Sequence, residues 1–252
     1  MLTKKIIFWN IETNGIPVDL FKINRTATLP TQKRLLRSVL TAGVGALSVA
    51  QKNGLSSVLS DTLALIDPNE PIRTGDILAM LQEDNSTFES LRCRLEPLFE
   101  DIDELGMSQQ SWGDVVNQSQ SKIFIFQTAF IGAEHGNQLI DMILASLFSF
   151  QQENHEVPLD IFIDEVQNQN FSPDSPIARI LKEGRKFNCA FFGATQDFYP
   201  FKTELGKVMS KADTNIFQRP TPNSANAVAD VLRFKKADLA RFDGLQRGDA
   251  TT

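Results

Sequence analysis

Histidine and cysteine are nearly absent from this chain, and most of the common metal and nucleophile chemistries go with them. The two cysteines, Cys93 and Cys189, stand far apart in unrelated segments, with no second Cys or His at metal-ligand spacing. They read as two reduced core thiols, since disulfides are rare in cytosolic proteins. His135 and His155 have no acid or nucleophile close to them in sequence, which points to surface or helix-cap roles rather than catalysis. Long apolar runs are missing too: none approaches the roughly 18 residues that span a bilayer. The opening MLTKKIIFWN is a charged lead into a strand, not a signal peptide. A cytoplasmic protein with no membrane contact is therefore expected. Nor is there an excess of positive charge. The 25 Lys and Arg against 31 Asp and Glu leave a net charge of -6, which excludes a protein that coats nucleic acid with its whole surface. A ring on DNA stays allowed, because its inner loops alone need be basic.

What is present is enough for a full core. In 252 residues, 42% are hydrophobic, and 19 Phe stand against a single Tyr, a balance that favours packing over wet surfaces. Four short, mostly apolar runs read as strands: Ile6 to Trp9, Ile123 to Phe126, Leu159 to Ile163 and Cys189 to Gly193. Continuous apolar character predicts burial on both faces, as in a parallel sheet covered by helices. Helical spacing recurs between them, in Leu139-Ile140, Ile143-Leu144 and Leu147-Phe148, and in Ile177, Ile180 and Leu181. Strands alternating with helices give an α/β layered fold. From Pro30 to Gly106 only helix-like material appears, over Gln32 to Leu47, Lys52 to Ile66, Thr74 to Gln82 and Thr87 to Leu105, punctuated by Pro68-Asn69 and Asp84-Asn85-Ser86. An all-helical insertion over 30–108 divides a first strand and linker, 1–29, from the remaining core, 109–252. Gln109 to Ser121 is polar enough for a flexible connection. The last residues, Leu245 to Thr252, read as a turn and the start of a strand, as if the chain were truncated.

The strongest chemical signal is Leu159-Asp160-Ile161-Phe162-Ile163-Asp164-Glu165, an apolar strand that ends in adjacent carboxylates. The carboxyl ends of buried parallel strands line the crevice where α/β proteins bind ligands. Adjacent acids there divide the labour: Asp164 holds Mg²⁺ through its water shell, and Glu165 polarises the attacking water. The plain alternative is a solvated acidic turn. Gln196, at the mouth of the strand Cys189 to Gly193, has an amide suited to sensing a γ-phosphate. Arg185 is either an arginine finger for a neighbouring subunit's phosphate or a cation offsetting a helix dipole, as is Lys186. Asp160 is too far from Asp164 along a strand, about 13 Å, to share an ion with it, which disfavours a two-metal nuclease. Phe198-Tyr199-Pro200-Phe201 is loop chemistry suited to DNA or a neighbouring subunit, against a bland reading as packing. Lys33-Arg34-Arg37 and Lys235-Lys236 read as solvated helix faces, the second alternatively as an interface lining in a hexamer.

The segment DIFIDEVQN, followed by ARILKEGRKFNCAFFGATQ, resembles the core of the HerA and FtsK superfamily of DNA-pumping ATPases. Asn215 to Arg219, NIFQR, matches a strand that follows the sensor there. The resemblance implies a RecA-like P-loop NTPase core in which Glu165 is catalytic, Arg185 the finger and Gln196 the sensor. It implies ATP and Mg²⁺ as ligands, double-stranded DNA as partner, and a homo-hexamer. Ile6 to Arg25, with NGIPVDLFKINR, and the helix containing Gln32, Lys33 and Arg34 are similar to the DptH group, HerA-type ATPases of phosphorothioation-dependent DNA restriction. That would add restriction-system partner proteins; a pump for conjugative DNA transfer shares most of the same features.

One part of such a motor is missing. No G-x-x-x-x-G-K-[ST] occurs; the only Gly-Lys pair, Gly206-Lys207, is followed by Val208 and has Phe201 where the first glycine belongs. The expected fold is thus an incomplete RecA-like core without its phosphate-loop strand, and an exposed interior edge would make it a poor folder alone. The rival is a non-catalytic interaction module whose sheet another polypeptide completes.

Overall fold

The structure is a computed structural model. It describes residues 5–22, 28–67, 70–81, 85–117, 122–127, 133–195, 214, 216–218 and 250–251. Two compact units divide the chain, Met1–Glu153 and Asn154–Thr252.

In the first unit β1 (Lys5–Asn10) pairs in parallel with β2 (Lys122–Gln127), from Lys5 opposite Lys122 to Asn10 opposite Gln127. Parallel neighbours need a long crossover, and here it is helical: α1 (Ile11–Asn14), α2 (Leu29–Val44), α3 (Val49–Leu65), α4 (Thr74–Ala79), α5 (Ser86–Leu105) and α6 (Trp112–Asn117). The ends of these helices are written in the sequence. Ser48 and Gln51 cap α3 reciprocally, Asn85 caps α5, and Pro30 sits in the first turn of α2, where its missing N–H costs nothing. Leu36, Leu40, Leu55, Leu59, Leu95 and Phe99 form one wholly buried core between α2, α3 and α5. The long helix α7 (Ala133–Glu153) joins it through Leu139, Met142 and Ile143. At Gly43 a Cβ would fall 2.6 Å from Leu98 Cδ2 and 2.7 Å from Met142 Sδ, so α2 approaches both neighbours as closely as glycine allows.

The expected flexible connection over Gln109 to Ser121 is partly a helix. Ser111 donates from N and Oγ to Asp114 Oδ2, both at 2.7 Å, and Asp114 N returns a bond to Ser111 Oγ at 3.1 Å, which caps α6. Trp112 and Val115, three apart, are then buried, and the indole N–H donates to Ser146 Oγ at 2.9 Å. Two apolar residues at helical spacing outweighed the polar composition around them.

In the second unit β3 (Leu159–Ile163) pairs in parallel with β4 (Cys189–Gly193), Leu159 opposite Cys189 and Ile163 opposite Gly193. Between them run a 3-10 turn (Val166–Asn168), α8 (Pro176–Glu183) and a second 3-10 turn (Gly184–Phe187). Ile177 and Ile180 of α8 are buried, and the helix packs against β4. A short antiparallel pair, β5 (Phe217–Gln218) and β6 (Ala250–Thr251), realises part of the expected NIFQR strand and the strand at the end of the sequence.

All four apolar runs are strands, but burial on both faces is not what they show. Phe8 is 74% exposed and Phe162 72%, and Ile6, Ile123, Ile125 and Phe192 are exposed as well. Trp9, Phe124 and Phe126 pack on the helical core from the other face of the β1–β2 pair. Inward and outward residues therefore alternate, as on a sheet covered on one side. The thiols are also only half as expected. Both are free, Cys189 is buried, and Cys93 is exposed on α5.

Candidate active site

Asp164 and Glu165 follow β3 directly, at the carboxyl ends of both paired strands. The chain turns sharply there. Ala194 N donates to Ile163 O and Val166 N to Ala194 O, each at 2.9 Å, so the ladder continues one step past the strands and then lets β3 leave. Val166, wholly buried, anchors the turn, and Asn168 N closes it by donating to Glu165 O at 3.0 Å. Glu165 itself lies at φ 51°, ψ 42°, in the left-handed region that costs a side-chain-bearing residue about 1–2 kcal/mol. Strain of this kind is held by surrounding structure and concentrates at functional positions.

The two carboxylates differ in setting. Asp164 is exposed; its Oδ1 accepts from Glu165 N at 3.0 Å, and Oδ2 has no protein partner among the described residues. Glu165 is half-buried, and its Oε2 accepts a hydrogen bond from Gln167 Nε2. One solvent-facing carboxylate with an oxygen to spare fits a hydrated Mg²⁺, which keeps most of its waters and needs few protein ligands. The sequence has no G-x-x-x-x-G-K-[ST], the loop whose backbone amides wrap phosphates in P-loop proteins. Among the described residues no group of three or more His, Cys, Asp or Glu is placed to hold a metal, so Asp160, exposed in mid-strand, adds nothing to the two-metal nuclease reading.

Arg185 is not brought to the acidic pair. It is exposed in the 3-10 turn that enters β4, and β4 runs parallel to β3, so it lies at the amino edge of the strands while the carboxylates lie at the carboxyl edge. Five residues of strand separate the two edges by roughly 16 Å. Its neighbour Gly184 has a structural reason: a Cβ there would meet Cys189 O at 2.8 Å. Gln196, Phe198 to Phe201 and Lys235-Lys236 lie outside the described residues. The sequence reading missed Gln167; two residues past the acid in a turn, it breaks no pattern that would single it out. Cys189, the first residue of β4, has its thiol pushed up to about 11, by burial first and then by the charge of Asp160, which keeps it in the unreactive thiol form.

Helix-flanked parallel strand pairs, one of them followed by Asp164 and Glu165, make a fragment of the RecA-like fold of P-loop ATPases. Among solved structures, VirB4 of Thermoanaerobacter pseudethanolicus matches with a TM-score of 0.67 over 98% of this chain and 78% of that chain, at 13% identity. At that identity the likeness is one of fold. No family model and no curated protein matches the chain. Nothing in these comparisons supports the DptH-type assignment. The structure also gives its residues another reason: Ile16, Val18, Leu20 and Phe21 are wholly buried, and Gly15, at φ 74°, passes so close that a Cβ would lie 2.7 Å from Gly106 O. Packing accounts for Gly15, Ile16, Val18, Leu20 and Phe21 of that stretch. No helix among the described residues is long and apolar enough to cross a membrane.

Proposed function

We propose that this chain is the water-activating part of a HerA/FtsK-like, ATP-driven DNA translocase, with helices α2 to α5 as an insertion in its core. Of the two settings that the sequence raises, conjugative DNA transfer is better supported than phosphorothioation-dependent restriction, because the fold likeness is to VirB4. The observation that carries the reading is the acidic pair at the carboxyl end of β3, with Glu165 held in a left-handed turn.

In the proposed reaction Glu165 takes a proton from water as the water oxygen bonds to the γ-phosphorus of ATP. The bond from that phosphorus to the bridging oxygen breaks, and its electron pair leaves with ADP. Asp164 orients the water shell of Mg²⁺, which when bound offsets charge on the phosphates. Arg185, at the far edge of its own strands, is assigned to a neighbouring subunit's nucleotide in a ring. Gln196 is assigned to sensing, and double-stranded DNA is the polymer moved.

The test is ATP hydrolysis, with and without duplex DNA, by the protein expressed from its natural gene. Glu165→Gln should lower kcat by about 100-fold or more, the usual scale for removing a general base. Turnover that survives this substitution would sink the assignment.

A second reading rests on the missing G-x-x-x-x-G-K-[ST]: a module without turnover, completed by another polypeptide. It predicts a stable co-purifying partner and no hydrolysis by either component alone.

A further inference from the structure

We infer that Gln167 is a positioning residue for Glu165, holding one carboxylate oxygen so that the other faces the attacking water; this rests on the hydrolytic reading above. Three observations bear on it. Gln167 Nε2 donates to Glu165 Oε2 across the 3-10 turn. The Oε1 of the same amide is buried and has no hydrogen-bond partner among the described residues. Glu165 sits in a left-handed conformation that its neighbours impose through Val166 and Asn168.

The amide cannot be turned over to relieve its buried carbonyl, because Oε1 would then face the carboxylate, acceptor against acceptor. A glutamine present only to fill space would be oriented, or replaced, so that no acceptor stayed unpaired. Here the buried carbonyl goes without a partner while the N–H stays on Glu165. The charge-assisted bond is the interaction that this arrangement preserves. Its chemical effect is directional. With Oε2 engaged, the proton from water is delivered to Oε1, and the carboxylate does not rotate away as the nucleophile approaches. Backbone strain fixes where the side chain starts, and Gln167 fixes where it ends.

The test compares Gln167→Leu, which removes the donor, with Gln167→His, which can keep one, in the protein expressed from its natural gene, alongside Glu165→Gln. Expected for Gln167→Leu is a fall in kcat of about tenfold with KM for ATP within about twofold, because ground-state binding does not use this contact. Gln167→His should recover at least half of the lost kcat, and melting temperatures should not follow the order of activities. If Glu165→Gln is dead and Gln167→Leu turns over like the parent, the positioning role is overturned and the hydrolytic reading survives. An equal fall for Leu and His, tracking melting temperature, likewise overturns it in favour of a structural role. If the parent shows no hydrolysis, or Glu165→Gln is as active as the parent, both fall together.

Discussion

Glu165 sets residue chemistry against residue preference: glutamate is a poor occupant of the left-handed region, yet it stands there at φ 51°. This inverts the ordinary ranking of glycine and alanine. Glu165→Gly should be more stable than Glu165→Ala by about 1 kcal/mol, because both lose the bond from Gln167 and only glycine loses the backbone strain. Denaturant midpoints of the two variants decide it; alanine at or above glycine would mean that the turn is not strained. A second residue gives a pH signature. Burial raises the carboxyl of Asp19 above its ordinary range, partly countered by the N–H of Phe21 donating to Oδ1 at 2.9 Å and by Lys22. An acid with a raised folded pKa contributes stability while protonated and loses it as pH rises through that value. Asp19→Asn should therefore be more stable than the parent at pH 7, with the gap closing as pH falls into the ordinary carboxylate range. A gap that does not change with pH would remove Asp19 as its cause. Of these features the sequence showed the acids, because an apolar run ending in two carboxylates is visible by eye. It could not show the left-handed turn or Gln167, since both depend on where β4 runs beside β3.

Elements were more legible than the contacts between them. Each of the four strands rests on a run of about four apolar residues, and each helix of the 30–108 stretch ends near a cap or a breaker, so local chemistry was enough to place them. One-sided burial was not readable, because Phe8 and Phe162 look like core residues until the opposite face is known. The turn joining α8 to β4 separates structural from functional content within one short motif. Gly184 is there because Cys189 O would lie 2.8 Å from a Cβ, whereas Arg185 beside it is exposed. Gly184→Ala should cost about 1–3 kcal/mol through overpacking. Arg185→Ala should change stability by less than about 0.5 kcal/mol, as surface changes do. If Arg185 serves a neighbouring subunit, that variant will lower turnover in assembled protein while melting normally. A normal turnover would leave it as a helix-terminal cation.

At the scale of the whole molecule, the buried apolar side chains of the described residues are unevenly shared between the two units. The continuous cluster of buried side chains runs from Ile11 to Ala145 and lies within Met1–Glu153, whereas the buried apolar residues described in Asn154–Thr252 are few, Ile161, Val166, Phe171, Ile177, Ala178, Ile180 and Cys189. Local opening follows the apolar contacts that must be broken. Among the described residues, the acidic turn has few buried apolar side chains around it, and the outer face of its parallel strand pair leaves Phe162 and Phe192 stacked at 4.4 Å in solvent. This sheet has two strands among the described residues, and so small a sheet depends on cover such as that of α8. Hydrogen exchange on the intact chain should accordingly show amides in α2, α5 and α7 exchanging at least about tenfold more slowly than those in β3 and β4, a difference of roughly 1.4 kcal/mol in opening free energy. Equal protection would mean that β3 and β4 open no more readily than these helices, and the acidic turn would then need no further element to hold it. The expected inequality would instead make ordering of this strand pair part of assembling the site, and a completing polypeptide or nucleotide would be detected first as slowed exchange in β3 and β4.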